Sequence, residues 1–498
     1  MKRIALYIFL ATIVASLASC SKWLDIIPED TTTEKALFST AGGYHSAING
    51  LYQQMASSAL YGENLSWGFA SALSQYYNNV SANNSKAFSY TEKYEYASDE
   101  VKAYGEEIWQ TGYNVIINAN NILKHLETAD PSMFPEYDNH EVDIIKGEAL
   151  AVRALVHFDI LRLFAVAPIV DNDALAIPYV ETCPSLFNKR LTVSEVIAKV
   201  EKDLSEAASL LVENDTDRVT LASTSNRYNA SNSSKGYFFT ARGVRMNYVA
   251  VRSIHARVKA YAGDMKGAYE IASDIVTRFV EEKAYYKYTT SFSSGDIESS
   301  RPHKLMDELL VSFYSENLST VYTSVTSGEL KDNPYALKNI DGVTSMFADS
   351  DDYRKVKLVK SVDVQTNTSI SIKYLERSGI YELKSAENRV IPVMRLSELY
   401  LIMAEYLASD GSVSDAVKIL NDLRIARGCM SNKIEETVNI DDFNKALGLE
   451  IWRENVAEGQ YFFYCKRINA PTINNNGVYV PMVGKYTMLI PDSEISLN

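Results

Sequence analysis

The residues best suited to chemistry in this chain lie in two places. Trp67, Tyr76, Tyr77, Asn78 and Tyr96 fall within Tyr61–Tyr104, where aromatic residues are set among Asn, Ser and Gly. Its middle, Gln75–Asn84 (QYYNNVSANN), has neither helical nor strand periodicity. Rings stack on the apolar faces of sugars, and amides and hydroxyls bond sugar hydroxyl groups, so such a loop suits a carbohydrate platform. The same composition suits a folded loop that packs its own rings. The second place is Cys20. Leu17-Ala18-Ser19-Cys20 follows a positive start, Met1-Lys2-Arg3, and an apolar run, Ile4–Leu17. That run is too short for a transmembrane helix. Small residues before a Cys at this distance mark a bacterial lipoprotein leader, residues 1–19, cut before Cys20, which is then lipidated. Two or more acyl chains anchor a protein stably where one does not.

No pattern of catalysis accompanies these residues. His140-Glu141 begins an H-E-x-x-H motif, but Ile144 stands at the second His position. No nucleophile elbow, dinucleotide fingerprint or P-loop occurs. Cys183, Cys429 and Cys465 are too scattered for a disulfide framework or a metal site. His157 sits in an apolar helix and reads as a core histidine. With 63 acidic residues, clusters such as Asp349, Asp351 and Asp352 carry no information. A glycosidase needs two carboxyl groups at a fixed separation, which sequence does not display. The expectation is a binding protein, with no catalytic residue, no metal site and no cofactor. The net charge of −14 argues against nucleic acid or an anionic lipid surface as partner.

These residues need a frame, and the sequence predicts a mainly α one. Apolar residues make up 46% of the 498 and charged residues 22%, the balance of a globular protein. Gly147–Phe164 (GEALAVRALVHFDILRLF) is apolar almost all the way round a helix and so must be enclosed by protein. Glu148, Asp159 and Arg162 fall near one line on it and need charged partners. Further helices are predicted from a Thr31 N-cap to about Ala56, over Glu106–Glu127 and over Thr192–Leu211. Val212–Lys235 reads as an exposed loop, and Lys283–Ile391 as a loop-rich insertion with strand-like runs at Leu309–Phe313 and Ser369–Tyr374. Two helix pairs share the spacing A-x3-A-x2-G-x4-A. The first is Ala256, Ala260, Gly263 and Ala268; the second is Ala404, Ala408, Gly411 and Ala416. Small residues with Gly at the turn are the logic of tetratricopeptide-like helical hairpins.

Several blocks, in order, carry a family resemblance: CSKWLDIIPED, EEIWQTGYNVIINANNIL, GEALAVRALVHFDILRLFAVAP, NYVAVRSIHARVKAYAGDMKGAYEIASDIV, MRLSELYLIMAEYLA with LNDLRIARG, WRENVAEGQYFFYCKR, and MLIPDSEISLN. The chain resembles the SusD/RagB family of nutrient-binding outer-membrane lipoproteins of the Bacteroidota. It departs from that pattern where Tyr461 and Tyr464 replace the usual Arg and Asp. The resemblance implies stacked tetratricopeptide-like hairpins within one domain, 20–498. Residues 20–30 would be a tether, and 61–104 and 283–391 variable regions of the ligand face. It also implies no enzymatic activity. Such a protein would sit at the cell exterior on a lipid anchor in the outer membrane, as a hinged lid delivering oligosaccharides to a SusC-like TonB-dependent transporter. The alternatives are a RagB-type peptide-binding lid and, further off, a surface glycosidase. Some family members bind calcium; no EF-hand spacing occurs here. The resemblance also offers partners for the charges of the enclosed helix: Glu148, Asp159 or Arg162 is expected to pair with Arg395 or Glu398 in the MRLSELYL helix.

Overall fold

A computed structural model describes residues 33–495 except 78–85, 135–139, 186, 217–218, 230–236, 290–302, 327–333, 338–345, 364–367, 377–383 and 474–478. Cys20, Thr31, the leader and the tether therefore lie outside the described residues, as does Asn78. The chain divides into two compact units, Met1–Tyr44 and His45–Asn498. In the first, helix Glu34–Leu37 is capped by Thr33, whose Oγ1 accepts from Ala36 N at 3.3 Å. Within the same unit the Phe38 and Tyr44 rings meet edge to face at 5.0 Å.

The second unit is mainly helical. Its principal helices, with the one that leads into it, are α1 (Ala41–Met55), α2 (Asp99–Leu126), α3 (His140–Phe164), α4 (Val193–Thr216), α5 (Tyr248–Tyr261), α6 (Met265–Ile275), α7 (Leu396–Ser409), α8 (Val413–Ala426), α9 (Ile440–Glu454) and α10 (Tyr461–Arg467). Acids open α2 at Asp99 and Glu100 and bases close it at Lys124 and His125, which complements the helix dipole. A capping box opens α4: Thr192 N donates to Glu195 Oε2 at 2.8 Å, and Glu195 N to Thr192 Oγ1 at 3.3 Å.

Helix α3 packs between α2 and α4; α5 lies against α4 and α6, α6 against α7, and α7 against α8 and α9. Two glycines set the spacing around α3. A Cβ on Gly112 of α2 would meet Ile160 Cδ1 at 2.9 Å, and one on Gly147 would meet Leu211 Cγ at 2.8 Å. Both repeated pairs form the expected hairpins, α5–α6 and α7–α8. Gly263 and Gly411 sit at the turns with φ of +87° and +96°, a conformation that strains other residues. All six alanines of the repeat are buried. Ala260, Ala268 and Ile402 form one cluster, so one hairpin stacks on the next.

Every residue of α3 from Gly147 to Phe164 is buried, as the apolar pattern requires, and the helix begins two turns earlier, at His140. Its charges have partners, but not those expected. Glu148 accepts from Arg242, from Arg245 Nη1 at 2.8 Å and from the Tyr52 hydroxyl at 2.8 Å. Arg242 and Arg245 follow Val212–Lys235, the stretch expected to be an exposed loop; within that stretch the helix runs on to Thr216, and Asp215, Leu221 and Arg227 are buried. Asp159 pairs within its own helix with Arg162, whose Nε donates to it at 3.0 Å, and accepts from the Tyr61 hydroxyl. Arg153 forks onto Asp203 of α4 at 2.7 and 2.8 Å. Glu398 pairs instead with Arg257, at 2.7 and 2.6 Å. Burial lowers the His157 pKa to about 3. The ring is neutral: Nδ1 donates to Arg153 O at 2.8 Å, and Nε2 accepts from Val180 N at 3.0 Å. The C-terminus of α3 is closed by Lys466, a buried lysine whose Nζ donates to the carbonyls of Arg162, Ala165 and Tyr486 at 2.6, 2.6 and 2.7 Å, while burial and the nearby Arg162 hold its pKa well below the ordinary lysine value.

The insertion holds short strands, as expected. Strand β3 (Leu309–Tyr314) pairs antiparallel with β6 (Val390–Arg395), from Leu309 opposite Arg395 to Tyr314 opposite Val390. Between them in sequence, β4 (Val359–Asp363) pairs antiparallel with β5 (Thr368–Ser371). Two earlier strands, β1 (Leu175–Pro178) and β2 (Arg190–Thr192), pair beside α4.

Buried ion pairs join the insertion to the helices. Arg427, fully buried, forks onto Glu308 at 2.8 and 2.7 Å and onto Glu454 at 2.7 and 3.0 Å. Arg354 donates to Asp352, to Glu450 at 2.5 Å and to Glu454 at 2.8 Å. Arg395 reaches Glu454 at 2.6 Å and Glu458 at 3.0 Å, and Lys373 reaches Glu458 at 2.6 Å. Arg424 joins Glu450 to Asp349, both at 3.0 Å. Burial alone would raise the Glu454 pKa; Arg427, Arg395 and Arg354 around the carboxylate hold it well below the ordinary value instead.

Glu454→Gln leaves three buried guanidinium groups short of a charge and should cost about 3–5 kcal/mol, read as a lowered denaturation midpoint. A depressed folded-state pKa gives stability that is present above the unfolded value and lost as pH falls through the folded one. The wild type should therefore weaken with acid below about pH 4.5, with a smaller loss in the variant. A Gln variant as stable as wild type would show that the network does not hold the fold.

Candidate ligand-binding face

The aromatic residues of 61–104 have tight local backbone and distant packing partners. A short helix, Phe69–Leu73, is followed by Gln75 at φ +62°, which turns Tyr76 and Tyr77 into the protein. Trp67 is fully buried, and its indole N–H donates to Gly62 O at 2.7 Å. Its ring lies against three tyrosines of the insertion: Tyr322 at 5.0 Å, Tyr335 at 5.2 Å and Tyr374 at 6.2 Å between centroids. The Tyr77 ring stacks near Phe88 at 5.9 Å and meets Tyr335 edge to face at 5.5 Å; its hydroxyl donates to Trp67 O. Tyr76 lies parallel to the Trp452 indole at 6.2 Å, and its hydroxyl donates to Trp452 O at 2.6 Å. Tyr96 is buried and donates to Lys485 O at 2.6 Å.

The structure thus brings Trp67 and Tyr77 together and places Tyr76 and Tyr96 in separate contacts, each with its polar atom on a backbone carbonyl. A sugar stacks on an open ring face; Trp67, Tyr76 and Tyr77 lie against other rings, and Tyr96 is 8% exposed. The exposed platform expected of Trp67, Tyr76, Tyr77 and Tyr96 is corrected on this point: in this fold they are core. The physical reason is the irregular backbone around them. Its carbonyls need donors, and a tyrosine fills space while donating one hydrogen bond. The rings also tie the two loop-rich regions together. Tyr77 forms a β-bridge to Leu337, and Leu337 another to Ser369.

The same chemistry explains the family departure at Tyr461 and Tyr464. Tyr461 packs on Trp452 at 6.2 Å, on Tyr76 at 6.5 Å and on Tyr464 at 6.2 Å. The Arg467 guanidinium lies 5.3 Å over the Tyr464 ring while pairing with Glu405 at 3.0 and 2.5 Å. Among the described residues, no group of three or more His, Cys, Asp and Glu side chains is placed to hold a metal ion. No described helix is long and apolar enough to cross a membrane.

Burial pushes the Tyr76, Tyr77 and Tyr96 hydroxyls well above the ordinary tyrosine pKa. A raised folded-state value gives stability that is present below the unfolded pKa, about 10, and lost as pH rises beyond it. In an alkaline titration followed by phenolate absorbance, a large fraction of the tyrosines should ionise late and together with loss of near-ultraviolet circular dichroism. Smooth ionisation of every tyrosine near pH 10 in a protein that stays folded would contradict their placement.

Comparison with known proteins agrees with this architecture. A family model described as starch-binding associating with outer membrane matches residues 22–232. A comparison with curated proteins finds no match. A SusD superfamily protein from Bacteroides thetaiotaomicron VPI-5482 is similar in fold, with a TM-score of 0.70 and 21% identity over 92% of this chain and 98% of its own. A SusD-like carbohydrate binding protein from Bacteroides vulgatus ATCC 8482 has a TM-score of 0.68 and 19% identity, over 92% and 96%. A SusD superfamily protein from Bacteroides fragilis has a TM-score of 0.64 and 17% identity, over 93% and 99%. The family model that spans the insertion, the α7–α8 hairpin and the charge network, residues 222–487, is that of the SusD family, and since it matches more than half of the chain, the protein belongs to that family.

Proposed function

We propose that this protein is a lipid-anchored glycan-binding protein of the outer membrane, facing the cell exterior. It captures oligosaccharides and delivers them to a SusC-like TonB-dependent transporter, over which it acts as a hinged lid. The observation that carries this reading is membership of the SusD family. The leader and Leu17-Ala18-Ser19-Cys20 support anchoring, and a structure of similar fold is described as a carbohydrate binding protein. The ligand face is assigned to the two loop-rich regions, 61–104 and 283–391. The buried rings of Trp67, Tyr77 and Tyr335 are its foundation rather than its contact surface. The proposed role is binding and hand-over, without catalysis.

Calorimetry of the mature, non-acylated protein against a polysaccharide panel and a peptide panel tests the ligand class. Heat with at least one glycan, and unchanged glycan chain length after incubation, is the expected result. Binding of peptides alone, or hydrolysis of a glycan, would overturn the proposal. Cys20→Ala should remove lipid labelling and shift the protein out of the membrane fraction; a variant that stays membrane-bound would remove the anchor from the scheme.

A further inference from the structure

Away from the buried ring cluster, a groove of ≈ 430 Å³ runs between α2, the connector after β1 and the C-terminal helix Asp492–Ile495. That volume lies within the range of ligand sites. One wall is α2, where Gln110 and Asn114, four residues apart, share an exposed face with the half-buried Tyr113 ring. The Tyr113 hydroxyl donates to Pro178 O at 2.8 Å, which fixes the ring. The opposite wall carries Phe187, 70% exposed, beside Asn188. Glu494 closes the end.

The chemistry of these walls selects among ligands. An extended peptide would add to a free strand edge. Here the connector after β1 has its backbone engaged where it lines the groove at Pro178 and Val180: Pro178 O by Tyr113, Val180 N by His157 Nε2 at 3.0 Å, and Val180 O by Asn120 Nδ2 at 2.9 Å. An anionic ligand would face Glu494 and a protein of net charge −14, and the neighbouring Arg190 is held on the Ala176 and Leu175 carbonyls at 2.7 and 3.0 Å. What the groove offers is an exposed ring, a fixed ring and side-chain amides that are each held at one atom. Gln110 Nε2 donates to Glu106, Asn114 Oδ1 accepts from Asn118 at 3.2 Å and Asn188 Nδ2 donates to Ser185, so the other amide atom of each is the one that can meet a sugar.

We propose that this groove is a second carbohydrate contact, taking a neutral sugar unit with its apolar face on Phe187 and its hydroxyls on Gln110, Asn114 and Asn188. The proposal rests on the glycan-binding reading and adds a place for a long chain to extend beyond the loop-rich face. Two contacts on one chain raise avidity without tightening either one.

The test uses the full mature protein with neutral hexasaccharides of glucose, xylose, mannose and fructose. Binding is measured by calorimetry for the wild type and for Phe187→Ala with Asn114→Ala, both exposed positions. Hydrogen exchange of 110–117 and 185–188 is followed with and without sugar. The expected result is protection of both segments by a bound sugar and about tenfold weaker binding in the double variant. Sugar bound equally by wild type and variant, without protection there, overturns the groove and leaves the glycan reading standing. No heat with any sugar overturns both. Peptide binding that depends on Phe187 overturns the carbohydrate assignment of the groove.

Discussion

The fold depends on charges buried where helices meet an insertion. Arg427 holds two carboxylates, Glu308 from the insertion and Glu454 from α9, with a two-pronged contact to each. A guanidinium is suited to this because its donors lie in one rigid plane. The pairs around it, from Arg354, Arg395, Arg424 and Lys373, extend the same contact across 349–373 and 395–458. Buried pairs give little net stability compared with apolar packing, but removing one partner is costly. Such a network fixes which surfaces meet, and therefore where the loop-rich regions stand relative to the hairpins.

That arrangement separates two tasks within one chain. Stacked hairpins with small residues at their contacts make a scaffold around α3. The aromatic cluster of Trp67, Tyr77, Phe88 and Tyr335 then joins the two loop-rich regions to each other, as the ion pairs join one of them to the helices. Helix C-termini and loop carbonyls are closed by Lys466 and by tyrosine hydroxyls, so irregular backbone is buried without unpaired groups at these places.

Much of the scaffold was legible in the sequence because its signals are local. The enclosed helix, the Gly263 and Gly411 turns and the strand-like runs of the insertion depend on periodicity and on residues a few positions apart. The pairings were not legible. Glu148 finds Arg242 rather than Arg395, and Arg427 finds Glu308, 119 positions away. The blocks LNDLRIARG and WRENVAEG carry these charges at helical spacing, a signal that the residues act together but not with whom. The aromatic site was misread for a related reason. A ring among polar residues is exposed or buried according to what covers it, and Trp67 is covered by Tyr322, Tyr335 and Tyr374, all more than 200 positions away.

The most direct measurement is a crystal structure with a bound oligosaccharide. The expected result is a sugar held by residues of 61–104 and 283–391 that lie outside the ring cluster, with Trp67, Tyr76, Tyr77 and Tyr96 still buried and donating to their carbonyls. A sugar stacked directly on any of those four rings, turned outward to meet it, would contradict the division between a buried foundation and the face it carries.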